Sequence, residues 1–166
     1  MSNSKKIILI DLDHTLFNTQ EFRKVLNLPD KQVNYRSFLY NDALPFIKYV
    51  SKYGTPVLFT EGDMDFQNQK IEKSGLKKVF GRDIKVFPAC GKARNNALTD
   101  DQELIGRVLI DDKPEVLDKA ISLGYKTIRV RRGKYKLLNG RMRPDYVVSD
   151  LKSIIKKDLF KKLLNV

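Results

Sequence analysis

Acidic and hydroxyl side chains stand at the ends of three apolar stretches, and they are the side chains best placed to do chemistry. They are Asp11 and Asp13 after the first stretch, Thr60 after the second, and Asp111 and Asp112 after the third. The carboxyl ends of parallel strands meet at one edge of a sheet, where ligands of open α/β sheets bind, so we expect these groups to share one site. Crowded, buried carboxylates lose hydration and repel one another, and such a site therefore needs a cation.

The acidic pair Asp11 and Asp13 suits chemistry on a phosphate ester. Such an ester is a dianion, and at about 4 Å each pair of unit charges repels by roughly 4 kcal/mol at an effective dielectric constant near 20. A Mg²⁺ ion held by oxygen ligands cancels that repulsion and clamps the phosphoryl group. Asp11 is then the candidate nucleophile, which would form an aspartyl-phosphate, and Asp13 is the candidate general acid and base.

The residues at the ends of the second and third apolar stretches supply the remaining functions of such a site. The Thr60 hydroxyl and the backbone amides of Glu61 and Gly62 are candidate donors to the non-bridging phosphate oxygens. Asp111 and Asp112 are candidates to complete the metal site.

The elements that must position these residues alternate between strand-like and helix-like patterns, which predicts parallel βαβ units. Strands are predicted at 6–11, 56–60, 84–87, 107–111 and 126–130, with an edge strand at 145–148. Helices are predicted at 21–26, 42–53, 64–74, 114–123 and 150–164, with a loop at 61–63. Because the run at 7–10 is apolar at every residue, it predicts a central strand buried on both faces.

The predicted fold is therefore a three-layer, Rossmann-like α/β domain with a central, mostly parallel sheet. Its last helix is predicted to face the core along one side, with lysines on the other side. The core-facing residues of that helix are Leu151, Ile154, Ile155, Leu159 and Leu163.

The string from Asp11 to Phe17, Asp-Leu-Asp-His-Thr-Leu-Phe, resembles the first motif of the haloacid dehalogenase (HAD) superfamily of phosphohydrolases, whose pattern is Asp-x-Asp-x-Thr-Leu/Val. Thr60 and the pair Asp111–Asp112 resemble the second and fourth motifs, and the resemblance covers residues 6 to 150. It implies a HAD-like fold with phosphoryl transfer as its chemistry, since dehalogenases lack the second aspartate of the first motif. It also implies that the Asp11 side chain, the Asp13 carbonyl and Asp111 bind the metal, with Asp112 contacting the metal or its waters.

The third motif of that superfamily is a lysine that pairs with the nucleophile and the phosphate. Lys92, in the polar stretch before the fourth strand, is the predicted residue, and it would act in catalysis and in substrate binding. Lys85, inside the third predicted strand, is the weaker candidate.

Two positions depart from the resemblance. His14 stands where the superfamily often has glycine, and as the single histidine of the chain it is either a packing side chain or a catalytic one. Glu61 stands where a small or amide residue is more usual. A carboxylate beside a phosphate is unfavourable, so Glu61 either contacts a substrate amine or hydroxyl or points away from the site.

Substrate access in the superfamily depends on cap inserts. The 46 residues between Asp13 and Thr60 leave no room for a large cap. We therefore expect a single domain over 1–166 with a minimal cap, a small helical insert at 18–41. An open site of this kind admits a phosphorylated small molecule, a nucleotide or a polynucleotide end.

The charge of the chain favours anionic partners. Lysine and arginine number 32 against 20 aspartates and glutamates, a formal net charge of +12. Phosphorylated metabolites, nucleotides and nucleic acid all fit that charge, and so does a merely solvated cationic surface. The basic loop at 131–143 is part of this charge, and whether it contacts a ligand is open.

The cysteine count and the apolar stretches argue against disulfide-bonded, zinc-binding, secreted and membrane-spanning classes of protein. Cys90 is the single cysteine, so neither an intrachain disulfide nor a cysteine-rich zinc site is expected. The apolar run after the polar first residues is too short for a signal sequence or a membrane span, so we expect a soluble cytoplasmic protein with no membrane partner.

The sequence thus favours a Mg²⁺-dependent phosphomonoester hydrolase, a HAD-like phosphatase. The alternative is a HAD-fold nucleic-acid-binding or regulatory module that uses its basic surface without turnover. A phosphoacceptor receiver domain fits less well, because its phosphorylated aspartate stands alone at the end of the third strand.

Overall fold

The computed structural model of the protein describes residues 6–26, 32–89, 92–98 and 107–165. Six strands form one sheet in the order β3-β2-β1-β4-β5-β6, and every described pairing is parallel. The strands are β1 (Ile7–Ile10), β2 (Thr55–Gly62), β3 (Ile84–Pro88), β4 (Val108–Asp111), β5 (Lys126–Val130) and β6 (Tyr146–Val148).

Helices cover both faces of the sheet. They are α1 (Thr19–Leu26), α2 (Ala43–Val50), α3 (Met64–Lys73), α4 (Leu76–Phe80), α5 (Lys92–Ala97), α6 (Pro114–Ser122), α7 (Leu151–Lys156) and α8 (Leu159–Leu164). Residues of α1 to α4, α7 and α8 build the larger core, whereas α5 and α6 contribute to a smaller one. The predicted three-layer, Rossmann-like α/β class is confirmed. Among the described residues, none of the helices combines the length and the hydrophobicity that a membrane-spanning helix requires.

The central strand β1 carries side chains into both cores. Ile8 and Ile10 are fully buried in the larger core, and Leu9 is buried in the smaller one. β1 lies between β2 and β4, and the strand order reverses between β1 and β4. At this reversal the helices leave the two neighbouring strand ends on opposite faces, so a crevice opens at their carboxyl ends.

The prediction of a loop at 61–63 is wrong for its first two residues. β2 continues through Glu61 and Gly62, which pair with Phe87 and Pro88 of β3. A neighbouring strand supplies backbone partners there, which the local composition could not indicate. The short helix α4, which follows Gly75 in a left-handed conformation, is absent from the sequence-based prediction.

The prediction of one helix over 150–164 is also wrong, because the helix breaks between α7 and α8. Asp158 adopts a left-handed conformation with φ 47°. Its Oδ1 accepts hydrogen bonds from the hydroxyls of Tyr49 (2.6 Å) and Tyr53 (2.7 Å). The break also buries Phe160 completely. Of the predicted core-facing residues, four are buried and Ile155 is half-buried.

The described residues of the segment 18–41, which are 18–26 and 32–41, fold against the loop that follows β1. This segment contains α1 and a 3₁₀ helix at Tyr35–Phe38, and the amide N–H of Asn18 donates to the carbonyl of Phe38 (2.7 Å). Phe22 of α1 is fully buried. Its ring lies 4.7–5.8 Å from the rings of Phe17, Tyr35, Phe38 and Phe66. Aromatic packing thus fixes α1 beside the carboxyl end of β1.

The side chain of Asp42 connects three parts of the fold. Asp42 precedes α2, but its side chain makes no capping hydrogen bond there. Its Oδ2 instead accepts from the amides of Leu151 (2.9 Å) and Lys152 (3.3 Å) and from the guanidinium of Arg132. Asp42 therefore ties the start of α7 and the segment after β5 to the start of α2.

Candidate active site

A tight turn after β1 presents the two aspartates of the first motif. The carbonyl of Leu12 accepts from the amides of Leu16 (2.9 Å) and Phe17 (2.9 Å), which folds the chain back at once. At the tip of the turn, His14 takes a left-handed conformation with φ 62°. A pocket of about 160 Å³ opens beside this turn. Its acidic lining residues are Asp11, Asp13, Glu61 and Asp112.

Three buried carboxylates form the floor of the site. One oxygen from each of Asp11, Asp111 and Asp112 lies within 4.8 Å of the others. Oδ2 of Asp112 is buried without a hydrogen-bond partner among the described residues. Hard oxygen donors at this spacing, one of them unsatisfied, fit a divalent cation such as Mg²⁺. Of the four predicted metal ligands the structure brings these three together, and Asp13 lines the same pocket.

The cluster is electrostatically costly without a cation. Burial, followed by the charge of Asp111, raises the pKa of Asp11 well above its ordinary value. Burial and the Asp11 and Asp111 charges raise the pKa of Asp112 to about 10. The site thus favours either protons or a metal ion.

Arg94 is the described cation that lies inside this cluster, and sequence reasoning missed it. Its side chain is 2% exposed, and its Nη2 lies 3.0 Å from Oδ1 of Asp11. The same nitrogen contacts Oδ2 of Asp111 and donates to the carbonyl of Phe59 (2.8 Å). Arg94 therefore compensates the charges at the ends of β1 and β4.

The predicted motif lysine lies two positions before Arg94. Lys92 is the first residue of α5, and its side chain lies outside the described part of the chain, so its pairing with Asp11 stays a prediction. Lys85 is exposed on β3. The sequence indicated only that Arg94 lies in the same polar stretch as Lys92. Which of these side chains faces the site depends on the rotation of the short helix α5 about its axis, which the sequence does not give.

Asp13 is enclosed by polar side chains from two helices. Lys70 and Thr19 donate to its Oδ1, and the amide of Gln67 donates to its Oδ2 (2.7 Å). Burial alone would raise the pKa of Asp13, but the charge and hydrogen bond of Lys70, helped by Thr19 and Gln67, lower it below its ordinary value. Asp13 is therefore held as a carboxylate.

Lys70 and Gln67 were not predicted as site residues. They lie three positions apart, on one face of α3. Lys70 is 1% exposed, and its Nζ lies 5.0 Å from the ring centre of Phe66 and 5.6 Å from that of Phe17. The amphipathic pattern of α3 is weak, so the sequence did not indicate that this polar face turns inward.

The second-motif residues meet the site through Gln67. Thr60 is fully buried, and its Oγ1 accepts from Gln67 Nε2 (3.0 Å), which leaves the hydroxyl hydrogen free to donate. The carbonyl of Glu61 accepts from the same nitrogen (2.6 Å). A Cβ at Gly62 would lie 2.9 Å from Gln67 Nε2, so glycine allows this close approach.

The Glu61 carboxylate is paired within the protein. Its Oε1 lies 2.9 Å from Nζ of Lys113, which also contacts Glu115 (2.7 Å). The repulsion expected between Glu61 and a phosphate is thereby reduced.

His14 packs against the segment after β5. It is 8% exposed, and a Cβ at Gly133 would overlap its ring. Burial lowers the pKa of His14 below its ordinary value, so the ring is neutral near pH 7. These contacts support the packing interpretation of this residue.

Comparison with known proteins identifies relatives of this chain. A family model described as NLI interacting factor-like phosphatase matches residues 6–129. Among curated protein sequences, none matches the chain.

Solved structures share the fold at low sequence identity. A haloacid dehalogenase-like hydrolase from Burkholderia xenovorans has a TM-score of 0.75 at 17% identity, covering 92% of this chain and 98% of that one. The HAD hydrolase YfnB from Bacillus subtilis, in a structure bound to magnesium, has a TM-score of 0.68 at 16% identity, covering 99% and 100%. D,D-heptose 1,7-bisphosphate phosphatase from Burkholderia thailandensis has a TM-score of 0.58 at 19% identity, covering 93% and 99%.

We predict that Arg94→Gln lowers the free energy of unfolding by about 3–5 kcal/mol, because it leaves Asp11 and Asp111 buried without this cation. Urea denaturation at neutral pH measures the change. Lys85→Gln removes one exposed charge from β3 and should change the same free energy by less than about 0.5 kcal/mol. Equal losses in the two variants would contradict the buried ion pairs.

The raised pKa of Asp112 predicts a pH-dependent gain in stability for Asp112→Asn. The folded protein holds a proton at this carboxylate above the pH at which the unfolded chain releases it. The wild type therefore loses stability as pH rises from about 4 towards 10, whereas asparagine does not titrate. In EDTA at pH 8, the free energy of unfolding of the variant should exceed that of the wild type by at least about 1.4 kcal/mol, the equivalent of one pKa unit. Near pH 4 the two free energies should differ little.

Urea denaturation at the two pH values measures this difference. Glu72→Gln, which removes an exposed carboxylate from α3, is the control and should show no such trend. A gain for Asp112→Asn that is independent of pH would refute the electrostatic explanation.

Proposed function

The chain belongs to the family of NLI interacting factor-like phosphatases in the HAD superfamily, and from that membership we propose that it is a Mg²⁺-dependent phosphomonoester hydrolase. The family itself supports hydrolase function. The observation that carries the finer proposal is the buried group of Asp11, Asp111 and Asp112 around Arg94, with Asp13 lining the same pocket.

In this proposal Asp11 attacks the phosphorus of the substrate. A bond forms between a carboxylate oxygen and phosphorus, and the ester P–O bond breaks, which gives an aspartyl-phosphate and a free alcohol. Water then attacks the aspartyl-phosphate, releases orthophosphate and restores Asp11. Arg94 orients the Asp11 carboxylate through its contact with Oδ1.

The proposed metal ligands are the side chains of Asp11, Asp111 and Asp112 with the carbonyl of Asp13. When bound, Mg²⁺ supplies the positive charge that keeps the carboxylates ionised and neutralises the phosphoryl oxygens. The Thr60 hydroxyl, the amides of Glu61 and Gly62, and Lys92 are proposed to bind those oxygens.

Asp13 is proposed to move the two protons of the reaction. It protonates the leaving alcohol in the first step and accepts a proton from the attacking water in the second. The contacts from Lys70, Thr19 and Gln67 favour its carboxylate form. That form is ready for the second step, whereas the first step requires a proton to be taken up against these contacts.

We expect Asp11→Asn to reduce Mg²⁺-dependent hydrolysis of para-nitrophenyl phosphate by about 10³-fold or more, because the amide cannot form the phosphorylated intermediate. EDTA should abolish the wild-type rate. Circular dichroism and thermal unfolding check that the variant is folded.

Near-wild-type turnover in folded Asp11→Asn would overturn the nucleophile assignment. The alternative, a nucleic-acid-binding or regulatory module, predicts a different result for the wild type. It would show no hydrolysis and a steeply salt-dependent affinity for DNA or RNA.

For Asp13→Asn the expected loss depends on the leaving group. An alkyl phosphate needs a proton on its leaving oxygen, so its turnover should fall by about 10²–10⁴-fold. Para-nitrophenolate leaves without a proton, so the variant should still form the aspartyl-phosphate. Hydrolysis of the aspartyl-phosphate should be slower, because Asp13 no longer accepts a proton from water. Rapid-mixing experiments should then show a burst of one equivalent of nitrophenolate before slow turnover. Equal losses for both substrates without a burst would exclude the acid–base role.

A further inference from the structure

The mouth of the candidate site carries two cations that no carboxylate of the described residues pairs. Four lysines and arginines line the pocket: Arg23, Arg94, Lys113 and Lys134. Arg94 forms ion pairs with Asp11 and Asp111. Lys113 forms ion pairs with Glu61 and Glu115. Arg23 and Lys134 are exposed, and the charge of each lies close enough to lower the pKa of His14.

Lys134 is held at the mouth by its neighbours. Gly133 adopts a left-handed conformation with φ 55° and lies against the His14 ring. On the other side of Gly133, Arg132 donates to the carbonyl of Thr15 (3.2 Å) and pairs with Asp42. The backbone at Lys134 is thus anchored to the turn that carries Asp11 and Asp13, although its side chain remains exposed.

Arg23 is held at the same mouth by the packing of α1. It follows Phe22, whose fully buried ring fixes α1, and it lies one turn after Thr19, which contacts Asp13. α1 contacts the 3₁₀ helix Gly133–Tyr135, so Arg23 and Lys134 border one opening. The transferred phosphoryl group would lie deeper, at Asp11.

We propose that Arg23 and Lys134 bind a second phosphate group of the substrate, so that the preferred substrate is a phosphomonoester carrying another phosphate near the ester bond. This inference rests on the proposed function of the site. Two cations at the entrance, neither paired with a carboxylate of the described residues, are complementary to an anion that stays outside the reacting centre. A sugar bisphosphate and a phosphorylated polynucleotide end both carry such a group.

Binding of non-hydrolysable ligands tests the second-phosphate site without any need for turnover. Isothermal titration calorimetry with Mg²⁺ would compare methylphosphonate with alkane bisphosphonates whose linkers contain two to five carbons. We expect at least one bisphosphonate to bind about tenfold more tightly than methylphosphonate. Lys134→Gln and Arg23→Gln should each lower the affinity for that bisphosphonate by about three- to tenfold. Each should change the affinity for methylphosphonate by less than about twofold.

Matched controls remove a neighbouring charge from the same elements. Lys136→Gln lies two residues from Lys134, and Lys24→Gln follows Arg23 on α1, where Lys24 pairs with Glu21 (2.6 Å). Neither residue lines the pocket. Both controls should bind every ligand as the wild type does.

Equal affinity for all phosphonates would overturn the proposal. Equal weakening of both ligand types by Lys134→Gln would overturn it as well, because the lysine would then contact the transferred group. These outcomes are independent of hydrolysis, so they are separate from a failure of the Asp11→Asn experiment.

Turnover assays distinguish the source of the second phosphate. Fructose 1,6-bisphosphate is compared with fructose 6-phosphate, and a 3′-phosphorylated dinucleotide with a 3′-nucleoside monophosphate. The proposal is supported if, in either pair, the substrate with two phosphates has the higher kcat/KM and Lys134→Gln reduces that preference. The pair in which this occurs identifies the source of the second phosphate. The absence of preference in both pairs, with hydrolysis present, contradicts it.

Discussion

Charge compensation at the carboxyl ends of β1 and β4 is the constraint on which the site depends. The reversal of strand order places Asp11 beside Asp111 and Asp112, and their repulsion must be offset inside the fold. The compensating cations come from opposite faces of the sheet: Arg94 from α5, and Lys70, which pairs with Asp13, from α3. The carboxylates can therefore be buried together only when both helical layers are packed on the sheet.

The same arrangement separates the two aspartates of the first motif by environment. Asp11 lies in an excess of negative charge, and Asp13, two residues later, lies among donors. The tight turn with His14 at its tip turns the two side chains towards different neighbours. Residues of identical chemistry thereby gain opposite shifts in pKa, which is a common way to divide nucleophilic and proton-transfer roles.

The sheet and its acidic edge could be predicted because they follow from local patterns. An all-apolar run such as 7–10 indicates a strand buried on both faces, and parallel strands must end at one edge. The inward-facing cations could not be predicted in this way. Arg94 and Lys70 meet their partners through helix phase and tertiary packing, as does Asp158, whose contacts with Tyr49 and Tyr53 interrupt the C-terminal helix. A sequence pattern alone does not reveal contacts between residues so distant along the chain.

The contact between His14 and Gly133 has a consequence for how this chain can vary. The space between the turn after β1 and the segment after β5 holds one side chain, which residue 14 supplies. A side chain at 133 would need more than a small residue at 14, because Gly133 also has a left-handed backbone with φ 55°. The ring of His14 and the backbone of Gly133 are therefore two separate reasons why residue 133 must be glycine in this fold.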